Sequence, residues 1–138
     1  MSDKKFRLQI ITPFQIKVDQ QVDMVVMRCT TGDMGICPGH EDRSAVLTYG
    51  AFRILDGGTE RRIAVYGGLA AVRDGDLTVL THDAEWREEI DSARAAADRE
   101  NAERRLQEAV DDIEIAKDQV LLRRALVQIE VSKDDSDQ

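Results

Sequence analysis

From Asp76 to Gln138 the chain has neither glycine nor proline, although it holds nine glycines and two prolines in all. Both residues punctuate turn-rich β structure and are costly inside helices, so their sudden loss marks a change of architecture. Long apolar runs are missing too. Nothing approaches the roughly 20 residues that a membrane-spanning helix requires, so no direct membrane insertion is expected. Ahead of the first strand-like pattern stands only Met1-Ser2-Asp3-Lys4-Lys5, with no apolar signal segment, and the expectation is a chain that stays where it is made. Cys29 and Cys37 are too few for a disulfide framework and suit a reducing cytosol. Positive charge is in short supply: 19 Lys+Arg against 27 Asp+Glu leave a net charge of −8, which disfavours nucleic acid as a partner, since that rewards a basic surface.

What is present divides into two textures. The 138 residues, 42% hydrophobic and 33% charged, have room for one ordinary core or for a smaller core with an appendage. Residues 1–82 hold 10 Lys+Arg and 10 Asp+Glu, whereas residues 83–138 hold 9 and 17, so the second part carries the whole imbalance. The expected domains are therefore 1–82 and 83–138. In the first, Phe6-Arg7-Leu8-Gln9-Ile10 alternates with period two until Thr12-Pro13, and Val22 to Cys29 is an apolar, β-branched run. Arg61 to Tyr66 and Leu77 to Thr81 repeat the theme. Asp56-Gly57-Gly58 and Asp74-Gly75 supply the positive-φ positions that tight hairpins need. Short strands this closely spaced predict an antiparallel β-sandwich.

The second part predicts a two-helix antiparallel hairpin. Ile90, Ala93, Ala97 and Leu106 trace an alanine-rich stripe, the pattern resets around Gln107 to Asp112, and a second helix runs from about Asp112 to Val131. On that helix Ile113, Ala116, Val120 and Val127 form one apolar row, and Leu122, Leu126 and Ile129 another. Two rows fit either a mobile helix with alternative docking surfaces or a helix buried on two sides. The acidic tail from Ser132 to Gln138 is expected to fray.

Catalytic chemistry finds little support. Cys37-x-x-His40 has the spacing of half a zinc site, but with Cys29 and His82 it yields no second closely spaced pair, and no metal is expected. Neither cysteine has a base placed beside it by motif, so no catalytic residue is assigned. A β-sandwich enzyme using His40 or His82 is the rival that would show activity without partners.

The stretch Gly32-Asp33-Met34-Gly35-Ile36-Cys37-Pro38-Gly39-His40 resembles the G-E-L-G-I-x-P-G-H signature of the epsilon subunits of rotary F-type ATP synthases. Tyr49-Gly50-Ala51-Phe52-Arg53-Ile54 is similar to that family's G-x-x-R-I strand. Tyr66-Gly67-Gly68-Leu69-Ala70-Ala71-Val72, followed by Leu77-Thr78-Val79-Leu80 and Ala84-Glu85, resembles its G-G-x-x-E-V…V-T-V-L…A-E run. Two departures stand out: Glu41-Asp42-Arg43 follows the histidine, and Ala71 replaces the usual glutamate. The resemblance implies a non-catalytic central-stalk subunit that couples the gamma subunit to the c-ring. It also implies a helical hairpin that folds up, or extends into the alpha/beta catalytic subunits and blocks ATP hydrolysis. Its place would be peripheral, on the cytoplasmic face of a bacterial plasma membrane.

Site residues follow from the same resemblance. Asp33, Met34, Gly35 and His40 would meet the c-ring and gamma, the plain alternative being a hairpin loop with a capped histidine. Ile90-Asp91-Ser92-Ala93-Arg94-Ala95 matches the I/L-D-x-x-R-A motif by which some epsilon subunits bind ATP. Asp91 and Arg94 at i, i+3 would offer an acceptor and a phosphate-pairing guanidinium. Of the family's two arginines one turn apart on the second helix, Arg124 is kept and Gln128 takes the other place, removing a charge-assisted phosphate contact. Regulatory ATP is thus the one ligand implied, and an ATP-sensing module is the alternative function. Arg99, Arg104, Arg105 and Arg123, with Arg94 and Arg124, would pair with acidic surfaces of the catalytic hexamer, or else with neighbouring acids on their own helices.

Overall fold

The computed structural model describes residues 4–133. Eight strands are followed by a short 3-10 turn and two helices: β1 (Phe6–Ile11), β2 (Ile16–Val22), β3 (Met24–Cys29), β4 (Gly32–Ile36), β5 (Arg43–Asp56), β6 (Thr59–Arg73), β7 (Asp76–Leu80), β8 (Ala84–Trp86), the turn Arg87–Glu89, α1 (Ser92–Glu108) and α2 (Asp112–Ser132). They form two compact units, Met1–Trp86 and Arg87–Gln138.

The strand unit is a β-sandwich whose strands run in the order β2-β1-β7-β6-β5-β3-β4, with β8 beside β6. All pairings are antiparallel except β1 with β7, which is parallel. The two longest strands, β5 and β6, pair from Arg43↔Val72 to Asp56↔Thr59 and serve both layers. Along one edge, β6 pairs first with β8 through Ile63–Val65 and then with β7 through Leu69–Arg73. The switch falls at Gly67 and Gly68, with φ of 76° and 128°. A Cβ on Gly68 would stand 2.1 Å from the Leu80 carbonyl oxygen, so only glycine lets the strand bend this close to β7.

Alternation places Leu8, Ile10, Val25, Ile36, Phe52, Ile54, Ile63, Val65, Leu77 and Val79 in one core, each at 0–1% exposure. Burying each such side chain contributes on the order of 1.5–3 kcal/mol. The predicted run from Val22 to Cys29 is two strands, because Asp23 turns the chain: its backbone N–H donates to the Leu55 carbonyl and its carboxylate accepts from Gly57 N–H at 2.8 Å.

In the helical unit each helix opens on an aspartate cap. Asp91 accepts from Arg94 N–H at 3.1 Å and Asp111 from Ile113 N–H at 2.8 Å, each satisfying an orphan donor of the first turn. The expected stripe on α1 is corrected here: Ala93 and Ala97 are exposed, and the buried positions are Ala95 and Ala102, one heptad apart. On α2 the expected row of Ile113, Ala116, Val120 and Val127 is exposed except for Val127, and the buried residues are Asp118, Ala125, Val127 and Val131. The tail beyond Lys133 lies outside the described residues.

Candidate functional site

The strand unit carries an aliphatic row on its outer surface. Register sets Val46 opposite Leu69, Leu69 opposite Leu80, Leu80 beside Ile11, and Ile11 opposite Ile16. Directly opposed residues share a face, and their inward neighbours Leu47, Ala70, Val79 and Ile10 are buried, so the row points outward. Val46, Leu69, Leu80 and Ile16 are 55%, 56%, 51% and 56% exposed. Strands lie about 4.8 Å apart, so the row spans roughly 19 Å. Between β1 and β2, Phe14 is 89% exposed on a turn that Thr12 holds by accepting from Phe14 and Gln15 N–H at 3.3 and 3.2 Å.

Beside this row runs a second one of small and polar residues: Ser44 opposite Ala71, Ala71 opposite Thr78, Thr78 beside Gln9, and Gln9 opposite Asp19. A shallow groove of about 290 Å³ lies over the two rows at β5, β6 and β7. Ala71, where the family signature carries glutamate, is part of this groove, so a methyl group stands there in place of a carboxylate, between Ser44 and Thr78. Sequence reading missed the row because its members come from five strands; the alternating patterns of those strands were the available signal.

The predicted contact loop is different from a plain loop. Asp33, Met34 and Gly35 lie on β4, paired with Arg28, Met27 and Val26 of β3, and only the stretch from Cys37 to Asp42 lacks strand structure. A Cβ on Gly35 would meet the Met24 methyl at 2.9 Å, so that flexible side chain would have to shift to admit one. Asp33 accepts from Arg28 Nε at 3.3 Å. His40 donates its N–H to the Cys37 carbonyl, and its Nδ1 lies 2.7 Å from the Glu41 carbonyl oxygen. Cys29 is buried, and burial together with the nearby Asp33 charge pushes its thiol above the usual range, which makes it a poor nucleophile. Cys37 is exposed. Among the described residues no group of three or more His, Cys, Asp or Glu is placed to hold a metal ion.

In the helical unit a groove of about 180 Å³ opens between α1 and α2, lined by Asp98, Asn101, Ala102 and Arg105 on one side and Leu121, Arg124, Ala125 and Gln128 on the other. Arg124 and Gln128 are thus neighbours in one cleft, as the sequence implied. Ile90, Asp91, Arg94 and Ala95 do not line it, and the Asp91 carboxylate is engaged by its own helix end. Asp98 and Arg105 continue the Asp91–Arg94 face at heptad-like spacing, which brings them to the cleft and was not read from the motif. Of the remaining arginines, Arg99 donates to Glu103 at 2.9 Å and Arg104 to Asn101 at 2.9 Å, while Arg123 is exposed.

The chain thus combines a β-sandwich that carries an exposed aliphatic row with a two-helix hairpin that has an alanine-lined seam. Residues 5–87 match the beta-sandwich domain of the ATP synthase Delta/Epsilon chain, and residues 88–133 match its long alpha-helix domain. The chain belongs to the ATP synthase delta/epsilon chain family. It is 35% identical over 130 residues to the ATP synthase epsilon chain of Bacillus licheniformis, covering 94% of this chain and 99% of that one. The epsilon chain of Syntrophobacter fumaroxidans is 38% identical over 130 residues, with 94% and 97% covered. In fold it resembles a chain from the mitochondrial ATP synthase of Euglena gracilis, with a TM-score of 0.82, 24% identity, and 93% and 81% covered. A central-stalk/c-ring chain of the Tetrahymena thermophila enzyme gives 0.65 at 12% identity, with 96% and 100% covered.

Proposed function

We propose that this chain is a non-catalytic rotor subunit of an F-type ATP synthase, bound to the gamma subunit and the c-ring at the cytoplasmic face of the membrane, and that its hairpin restrains ATP hydrolysis. The observation that carries the rotor reading is the aliphatic row from Val46 to Ile16, a half-exposed apolar face that favours burial against a partner. The gamma subunit is the occupant assigned to it, and Asp33, Met34, Gly35 and His40, on β4 and the following loop, are assigned to the c-ring. No helix among the described residues is long and apolar enough to cross a membrane, in keeping with a peripheral place.

The regulatory half of the proposal draws on the weakness of the hairpin seam. Among the described residues its buried apolar side chains are the three alanines Ala95, Ala102 and Ala125, each contributing roughly one methyl's worth of burial, about 0.8 kcal/mol, and only two larger ones, Val127 and Val131. Ile113, Val120, Leu121 and Leu126 stay 78%, 46%, 38% and 41% exposed. A hairpin held this lightly, with apolar residues left over, can exchange its own contacts for those of the catalytic subunits, where Arg94, Arg99, Arg104, Arg105, Arg123 and Arg124 would meet acidic surfaces. Truncation after Trp86 keeps β8 on the sandwich. The truncated subunit should still assemble and couple, with faster ATP hydrolysis; equal rates across nucleotide and proton-motive conditions would overturn the inhibitory role.

A second reading makes the hairpin a regulatory ATP sensor, favoured by the Arg124 cleft. Calorimetric titration of the isolated subunit tests it: heat at millimolar ATP that disappears in Arg124→Ala supports it, and no heat sinks it. Because Gln128 replaces a second arginine, Gln128→Arg should tighten binding by about ten-fold.

A further inference from the structure

The two helices are joined by the chain at one end, through Ala109–Asp111, and at the other end, where Val131 is buried, a side chain from the preceding turn reaches the terminus of α2. Arg87 Nη2 donates to the Ser132 carbonyl oxygen at 3.3 Å, across 45 positions of sequence. That carbonyl belongs to the last residue of α2, one of the four at a helix C-terminus that have no partner within the helix. The last turn of α2 contains no basic residue and carries Glu130, the charge that a helix C-terminus disfavours; Lys133 follows at the cap, its N–H donating to the Glu130 carbonyl at 3.4 Å. A guanidinium reaching this end from the turn Arg87–Glu89 therefore meets both an orphan acceptor and the negative end of the helix dipole. Arg87 is half-buried, where such a contact is screened less than on open surface.

We propose that Arg87 is the clasp of the hairpin: it ties the chain entering α1 to the end of α2, and its release is the first step by which the two helices part. Ala95 and Val131, buried near the same end, contribute apolar area, and Arg87 adds the directional contact between the entering chain and the terminus of α2. Arg87 is a positioning residue in this scheme and touches no nucleotide. The proposal rests on the reading of the hairpin as a two-state element, and it adds which contact sets the balance.

The test is amide hydrogen exchange on the full-length chain, comparing Arg87→Ala, Arg87→Lys and Lys117→Ala with the parent. Lys117→Ala removes the same charge from an exposed position on α2. In Arg87→Ala the amides of the last two turns of α2 should exchange about three- to ten-fold faster, as expected for the loss of one charge-assisted contact at a helix end. Arg87→Lys should recover part of the protection, while Lys117→Ala and every strand amide stay at parent rates. Unchanged exchange in Arg87→Ala overturns the clasp, and so does an equal rise across the sandwich, which would mean general destabilisation. Because exchange is read without the catalytic subunits, faster exchange combined with unaltered hydrolysis in the assembled enzyme would leave the clasp standing and remove the inhibitory role instead.

Discussion

Replacing Leu69 by glutamate probes the aliphatic row most directly. Leu69 sits at the centre of the row, between Val46 and Leu80, and is 56% exposed. A leucine side chain contributes about 1.5–3 kcal/mol when fully buried, so covering its exposed half against a partner contributes about 1 kcal/mol. Glutamate forfeits that contribution and brings an unpaired carboxylate into an apolar interface, costing a further 1–3 kcal/mol or so. The sum, about 2–4 kcal/mol, corresponds to a roughly 30- to 1,000-fold weaker complex. Leu69→Ala should lose only about five-fold. Neither change touches the core, so thermal stability of the free chain should move by no more than about 1 kcal/mol. Titration of the purified gamma subunit with full-length variants gives the affinity, and calorimetry gives the stability. A Leu69→Glu chain that stays folded and binds gamma within two-fold of the parent would refute the assignment of this face.

Other consequences concern the sandwich itself. Gly68→Ala puts a Cβ 2.1 Å from the Leu80 carbonyl oxygen at a φ of 128°, and should cost about 2–4 kcal/mol, lowering the melting temperature by roughly 5–15 °C. A melting temperature equal to the parent's would mean that β6 can bend without glycine. Glu60 accepts from Arg53 at 2.6 Å and from Arg62 at 3.4 Å, and Arg53 holds its carboxyl below the usual glutamate range. The stability it contributes is present above the ordinary glutamate pKa and is lost as the pH falls through the depressed one. Glu60→Gln should therefore destabilise by about 1 kcal/mol at pH 7, with the gap to the parent closing in acid. A gap that is constant with pH in denaturant titrations would contradict this pairing.

The change from strands to helices was legible without coordinates, because glycine and proline placement reports backbone conformation residue by residue. The tight turns at Asp56-Gly57-Gly58 and Asp74-Gly75 were legible for the same reason, and Asp74 and its neighbouring glycine do take positive φ. The extent of α2 was readable from its apolar spacing to within a residue. These are local properties, set by the conformational preferences of a few adjacent residues. Gly32–Ile36 shows the limit: its two glycines read as a loop, and pairing with β3 made it a strand. On α1 the alanines at positions 93, 95, 96, 97 and 102 allow several faces, and a methyl group is too small a hydrophobic signal to choose among them; packing chose Ala95 and Ala102.

The functional surfaces belong to the second kind of information. Val46, Leu69, Leu80, Ile11 and Ile16 are unremarkable in their own strands, and only strand order and register set them side by side. Likewise Arg87 and Ser132 are 45 positions apart and meet only once α2 has turned back along α1. The sequence by itself determined which part of the chain forms strands and which forms helices, and to which family the chain is similar. Which faces meet water, and which distant side chains meet each other, was decided by tertiary structure, because pairing across strands and helices depends on non-local burial that no short stretch of residues encodes.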